Sequence, residues 1–138
     1  MDLSTATAWA ANRTDGILIT LRRDGRAQSS DITYLGRDGK FLISLTASRA
    51  KTKNMVRDNR VVLHITDRDS WSYLSFDGTV ELTPPAAAPD DATNDLLVDY
   101  FRSVSGEHSD WDEYRQAMVD EGRLIATFTP LSVVGQLH

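Results

Sequence analysis

The chain has 138 residues, 41% hydrophobic and 25% charged, with a formal net charge of −5. That length and balance fit one globular domain, residues 1–138, and exclude a disordered chain. There is no cysteine, so disulfides, thiolate metal sites and a cysteine nucleophile are ruled out. No apolar run approaches the roughly 20 residues of a membrane span. The first residues also lack the basic and apolar regions of a secretory signal, so a cytoplasmic protein with no membrane partner is expected.

A short helix is predicted over 4–12, capped by Ser4. Residues 16–21 (GILITL) are rich in β-branched and aliphatic side chains and read as a strand. Asp24-Gly25 is a hairpin signal, because glycine accepts the positive φ of a tight turn. Residues 27–35 form the next strand, Asp38-Gly39 repeats the signal, and 40–46 (KFLISLT) form a third, which predicts an antiparallel meander. Ser48 then stands as cap before a short helix over 49–57. Residues 61–66 alternate Val61, Leu63 and Ile65 against Val62, His64 and Thr66, a strand pattern. A longer strand over 71–82 has a bulge or bend at Asp77-Gly78 and ends before Pro84-Pro85. A helix over 90–105 carries Leu97, Tyr100, Phe101 and Val104 on one stripe and stops at Gly106. Ser109 caps a last helix, with Trp111, Tyr114 and Met118 at helical spacing and Gly122 at its end. Residues 123–129 (RLIATFT) are the last full strand, and 133–135 add a short one. The sum is mainly β with short helices (α+β): a six-stranded antiparallel barrel, an architecture that leaves no strand edge exposed.

The net charge hides an asymmetry. Residues 1–60 hold eleven Lys/Arg and six Asp/Glu, whereas residues 61–138 hold four and fourteen. The cations are densest at Arg49, Lys51, Lys53, Arg57 and Arg60, opposed only by Asp58. Nucleic-acid-binding proteins are more often basic overall, so no nucleic-acid partner is expected. A compact basic cluster in an acidic chain suits a small anion such as a cofactor phosphate, and charge alone leaves a solvated helix face equally open. A helix start offers unpaired N–H groups and partial positive charge. Arg49, Lys51 and Lys53, with the hydroxyls of Ser48 and Thr52, would complete a phosphate cradle over 48–54. No glycine-rich loop precedes the lysines, so this is not a P-loop.

Gln28, Ser29 and Ser30 on the second strand and Ser44 on the third could meet the polar edge of a ring system. The solvated face of an ordinary antiparallel sheet has the same composition. Trp71 and Tyr73 offer aromatic surface to a planar ligand, to a core or to an interface. The histidines, His64, His108 and His138, show no metal-ligand spacing, and no Ser–His–Asp set is readable. Neither a metal site nor hydrolysis is expected, and no catalytic side chain is assigned. Any redox chemistry would come from a bound organic cofactor.

The order of these segments resembles the pyridoxamine-5′-phosphate-oxidase-like, FMN-binding split β-barrels. Within them it is most similar to the flavin/deazaflavin oxidoreductases that use coenzyme F-420. The resemblance is carried by Thr20-Leu21, the Asp24-Gly25 turn, Gln28-Ser29, Thr46, Arg49-Ala50-Lys51-Thr52-Lys53-Asn54 and Asp58-Asn59-Arg60. Trp71-Ser72-Tyr73, residues 78–82 and residues 106–119 (GEHSDWDEYRQAMV) extend it over almost the whole chain. It implies a homodimer with cofactor sites in clefts at the subunit interface. The phosphodiester tail would lie on Arg49, Lys51, Thr52, Lys53 and Asn54. The ring would lie near Gln28, Ser29 and Ser44, with Trp71 supplied to the cleft by one subunit or the other. It implies a reductase in which F-420 itself carries the hydride to a small organic acceptor. An FMN-dependent oxidase or reductase of the same fold and a non-catalytic F-420 or flavin carrier are the alternatives. Pyridoxamine phosphate oxidation is not expected in a chain this short. Ala27 and Asn59 stand where relatives often carry proline, a departure that touches turn stiffness more than ligand chemistry.

Overall fold

A computed structural model describes residues 1–138. Along the chain the elements are α1 (Leu3–Ala11), β1 (Asp15–Leu21), β2 (Ala27–Thr33), β3 (Leu35–Arg37), β4 (Lys40–Thr46), α2 (Ala50–Arg57), β5 (Arg60–Asp67), β6 (Ser72–Leu82), α3 (Ala92–Ser105), α4 (Trp111–Glu121) and β7 (Arg123–Gln136). The seven strands form one antiparallel sheet in the order β2-β1-β5-β6-β7-β4-β3.

β2 and β3 occupy opposite ends of that order, yet only Tyr34 separates them in the chain. The sheet can satisfy this only by curling until its two ends meet, so the length of one connector makes it a split barrel. Tyr34 is fully buried at the crossing. Its N–H donates to Thr14 O and its hydroxyl to Ala10 O, both at 2.7 Å, and its ring packs edge-on against Phe41. The expected strand over 27–35 therefore breaks at residue 34, which gives seven strands rather than six. The three-strand meander does not form either: β1–β2 and β3–β4 are hairpins, but β2 does not pair with β4.

Inside the barrel, Leu18, Phe41, Leu63, Ile65, Phe76 and Phe128 pack together, and α1 adds Ala6 and Ala10. β4 and β7 are covered on their other face by α3 and α4, where Leu97, Tyr114, Met118 and Ile125 form a second core. This explains why apolar residues of KFLISLT occupy both faces of the strand. Phe41, Ile43 and Leu45 point into the barrel, Leu42 meets the helices, and Ser44 lies on the same face as Leu42. No helix covers the outer face of β1, β5 and β6, where Ile17 and Tyr73 are exposed, with Val134 of β7 beside them.

The bulge at Asp77/Gly78 is present. A Cβ on Gly78 would sit 2.2 Å from Thr129 O, so only glycine fits. Pro130 pairs with Gly78 at this irregularity, where a missing N–H is tolerated. The expected separate strands over 123–129 and 133–135 are one strand, β7. Helix starts also shift. Asp2 caps α1 by accepting from Thr5 N at 2.7 Å, and Asp110 caps α4 by accepting from Glu113 N at 3.1 Å. In both, a carboxylate displaces the neighbouring serine from the role, because it also complements the positive end of the helix dipole. The N-cap of α2 is Arg49, not Ser48, and no side chain caps its free N–H groups.

Candidate cofactor site

Helix α2 is held down on one side. Thr52 is buried and its hydroxyl donates to Thr46 O at 2.8 Å. Asn54, also buried, donates through Nδ2 to Thr20 Oγ1 at 3.1 Å and Gln28 Oε1 at 3.2 Å, and its Oδ1 accepts from Arg57 at 2.9 Å. Arg57 also donates to Leu21 O at 3.0 Å. These bonds tie α2 to β1, β2 and the end of β4. On the remaining faces Ser48, Arg49 and Lys53 stand exposed, while Lys51 is half-buried and turned into a cavity. Two residues along a helix point to nearly opposite sides, so Lys51 and Lys53 cannot face the same space.

That cavity, about 600 Å³, lies over the split between β2 and β4 and beneath α3 and α4. Tyr100 of α3 bridges the split by donating from its hydroxyl to Thr33 O at 3.1 Å. Ser44 and Lys51 line the cavity together with Arg123, which the β4–β7 register sets opposite Thr46. Arg123 is under-used: its buried Nε has no partner, its Nη1 reaches Ser44 Oγ only at 3.5 Å and its Nη2 reaches Glu121 only at 3.3 Å. Charge-assisted bonds are normally much shorter. Burial first, then the Arg49 and Arg123 guanidinia, hold the Lys51 ammonium below the ordinary lysine range. Lys51 and Arg123 line the cavity with Arg49 close by, and only Glu121 opposes them at hydrogen-bonding range, an arrangement that suits an anion. Burial pushes the Tyr114 phenol up to about 12 and also raises Tyr100, so both are neutral donors at physiological pH.

The family model for pyridoxamine 5′-phosphate oxidase matches residues 6–132. This chain belongs to that family. Among solved structures similar to this family member is the conserved hypothetical protein Rv2991 of Mycobacterium tuberculosis, at 19% identity and a TM-score of 0.77, covering 100% of this chain and 86% of that one. An F420 reductase is similar at 19% identity and a TM-score of 0.70, covering 91% and 94%. The heme storage protein HutZ of Vibrio cholerae is similar at 12% identity and a TM-score of 0.69, covering 97% and 94%. At these identities the likeness is one of fold.

In this pyridoxamine 5′-phosphate oxidase family member the residues singled out from the sequence fall into three places. Ser44 and Lys51 share the cavity, with Arg49 and Lys53 on the exposed side of the same helix. Thr52, Asn54 and Gln28 are joined in the hydrogen bonds that seat α2, and Ser29 lies exposed on β2, opposite Ile19. Trp71 is elsewhere. It sits in the β5–β6 turn at φ 54, 77% exposed. On β7 the two ends correspond to Arg123 and Gln136, roughly 40 Å apart along an extended strand at about 3.3 Å per residue. Within one chain Trp71 and Lys51 do not share a site. Sequence reading missed Arg123, Tyr100, His108 and Tyr114 of the cavity wall. The only signal was position: Arg123 follows the Gly122 helix stop, and nothing in the sequence announces that β7 lies beside β4. No group of three His, Asp or Glu side chains is placed to hold a metal ion, and no helix is long and apolar enough to cross a membrane.

Proposed function

We propose that this protein binds a phosphorylated flavin-like cofactor, coenzyme F-420, and acts as a reductase toward a small organic acceptor. The observation that carries the reading is that Arg49 and Lys51 stand together at the uncapped start of α2, where burial and the Arg49 charge hold the Lys51 ammonium below its ordinary range and invite an anion. Arg49 and Lys53 take the phosphodiester on the exposed side of α2, with its uncapped N–H groups, and Lys51 meets the cofactor from the cavity side. Ser44 and Ser29 face the polar edge of the ring, while Gln28, Thr52 and Asn54 set the position of the helix. When bound, reduced F-420 would supply the hydride, so the protein needs no acid–base pair of its own. Its tasks are to hold the ring against the acceptor and to exclude water beneath α3 and α4. Family membership and the likeness to an F420 reductase support the reading.

The remote position of Trp71 and the bare outer sheet with Ile17, Tyr73 and Val134 support a homodimer, in which Trp71 of a second copy reaches the cleft. A non-catalytic carrier is the second reading, supported by the likeness to a heme storage protein. A fluorescence titration with F-420 and, in parallel, FMN tests the proposal. Tighter F-420 binding that is weakened by Arg49→Gln and Lys53→Gln supports it. Tighter FMN binding transfers the protein to flavin chemistry. Tight F-420 binding without reduction of any acceptor in a quinone and enone screen favours the carrier.

A further inference from the structure

The cavity has an end that the cofactor reading leaves unused. Past Ser44 and Arg123 its wall is aromatic, built from Phe101 of α3, His108 of the α3–α4 turn and Tyr114 of α4. The Phe101–Tyr114 and His108–Tyr114 ring centroids are 5.0 and 5.6 Å apart, and Trp111 braces the group from 5.5 Å behind Tyr114. His108 is locked in orientation, because its Nδ1 accepts the Asp110 N–H at 2.9 Å. A rigid wall of flat rings favours a flat, conjugated ligand. At the foot of this wall stands Arg123. Its two Nη groups make only long contacts, to Ser44 Oγ at 3.5 Å and Glu121 at 3.3 Å, which leaves that edge of the guanidinium open to a stronger acceptor. Nη1 and Nη2 together match the two oxygens of a carboxylate. The three acidic side chains on the lining, Asp31, Glu113 and Glu121, are solvent-exposed, and Glu121 alone approaches Arg123, at 3.3 Å, against the two cations Lys51 and Arg123. The balance of charge around Arg123 is therefore positive.

We propose that the α3–α4 end of the cavity is the acceptor pocket, and that it is built for a planar conjugated molecule bearing a carboxylate, anchored by Arg123. The word acceptor rests on the reductase reading above; the binding preference does not. The specificity follows from the mismatch a neutral analogue would leave. An amide or aldehyde stacks equally well on the rings but leaves the Nη pair without a charged partner.

Calorimetric titration of the protein, alone and saturated with F-420, with 2-naphthoate and its uncharged isostere 2-naphthamide tests this. The expected result is naphthoate at least about tenfold tighter than the amide, in both the free and the loaded protein. Arg123→Gln should abolish that preference, and Arg123→Lys, which keeps the charge but not the fork, should reduce it. Lys53→Gln should weaken F-420 and leave naphthoate unchanged. Equal affinities, or a preference that survives Arg123→Gln in a variant with a normal thermal melt, would overturn the proposal. Competition between naphthoate and F-420 would also overturn it, by assigning Arg123 to the cofactor. If F-420 fails to bind while the naphthoate preference stands, the cofactor reading falls and the carboxylate pocket remains.

Discussion

Asn54→Ala is the substitution that best separates holding a helix from holding a ligand. It removes two donated bonds, to Thr20 Oγ1 at 3.1 Å and Gln28 Oε1 at 3.2 Å, and one accepted from Arg57 at 2.9 Å. Thr20 is fully buried, and its hydroxyl loses the only partner it has. Stranding a buried polar group costs about 1–3 kcal/mol, and each ordinary bond adds about 0.5–1.5 kcal/mol. Gln28 and Arg57 recover much of theirs from solvent, so the total is about 2–4 kcal/mol. The unfolding entropy of a chain this long is roughly 0.3 kcal/mol per kelvin, so the melting temperature should fall by about 7–13 °C. Differential scanning calorimetry measures it. Adding Thr20→Val removes the stranded hydroxyl and should restore about 1 kcal/mol, or about 3 °C, relative to Asn54→Ala alone. A melt within about 3 °C of the parent together with a large loss of cofactor affinity would refute this reasoning and make Asn54 a direct ligand contact.

Other perturbations probe other parts of the molecule. Gly78→Ala forces a Cβ to within 2.2 Å of Thr129 O and 2.6 Å of the Phe128 ring. It should cost at least about 3 kcal/mol and appear as lost soluble yield or a melt lower by about 10 °C. Tyr100→Phe deletes the one hydroxyl that crosses the barrel split, to Thr33 O. A loss of about 1 kcal/mol and faster amide exchange confined to the end of β2 are expected, while exchange spread over the whole sheet would show that the bond does not guard the split. Trp71→Gly relieves a positive φ in an exposed side chain, so stability should change by under about 1 kcal/mol, while cofactor affinity falls if a second copy uses that indole. Unchanged affinity in titration removes Trp71 from the site. The Tyr34, Tyr100 and Tyr114 phenols are raised above the ordinary tyrosine range by burial, Tyr114 to about 12. The unfolded state releases these protons first, so their contribution to stability is complete below about pH 10 and is lost as pH rises toward 12. Absorbance at 295 nm and far-UV circular dichroism should therefore change together there; ionisation of all four tyrosines while the fold persists would contradict it.

Local chemistry was legible along the chain. Alternation in 61–66, the turn at Asp24-Gly25, the helix stops at Gly106 and Gly122, the bulge at Asp77-Gly78 and the cation cluster on α2 are all properties of neighbours a few residues apart. They follow from φ, from periodicity and from local charge. What those signals could not say is which strands would lie side by side. The break at Tyr34 looks like any residue in a β-rich run until the sheet curls and brings its two edges together. Arg123 looks like a charged residue opening a strand until the β4–β7 register sets it beside Ser44, 79 residues away. Thr52 and Asn54 read as ligand-facing polar residues until packing turns them toward β1, β2 and β4. Burial and strand register are decided by which distant apolar faces can cover one another, and that choice is made by the whole chain at once rather than within any window of it.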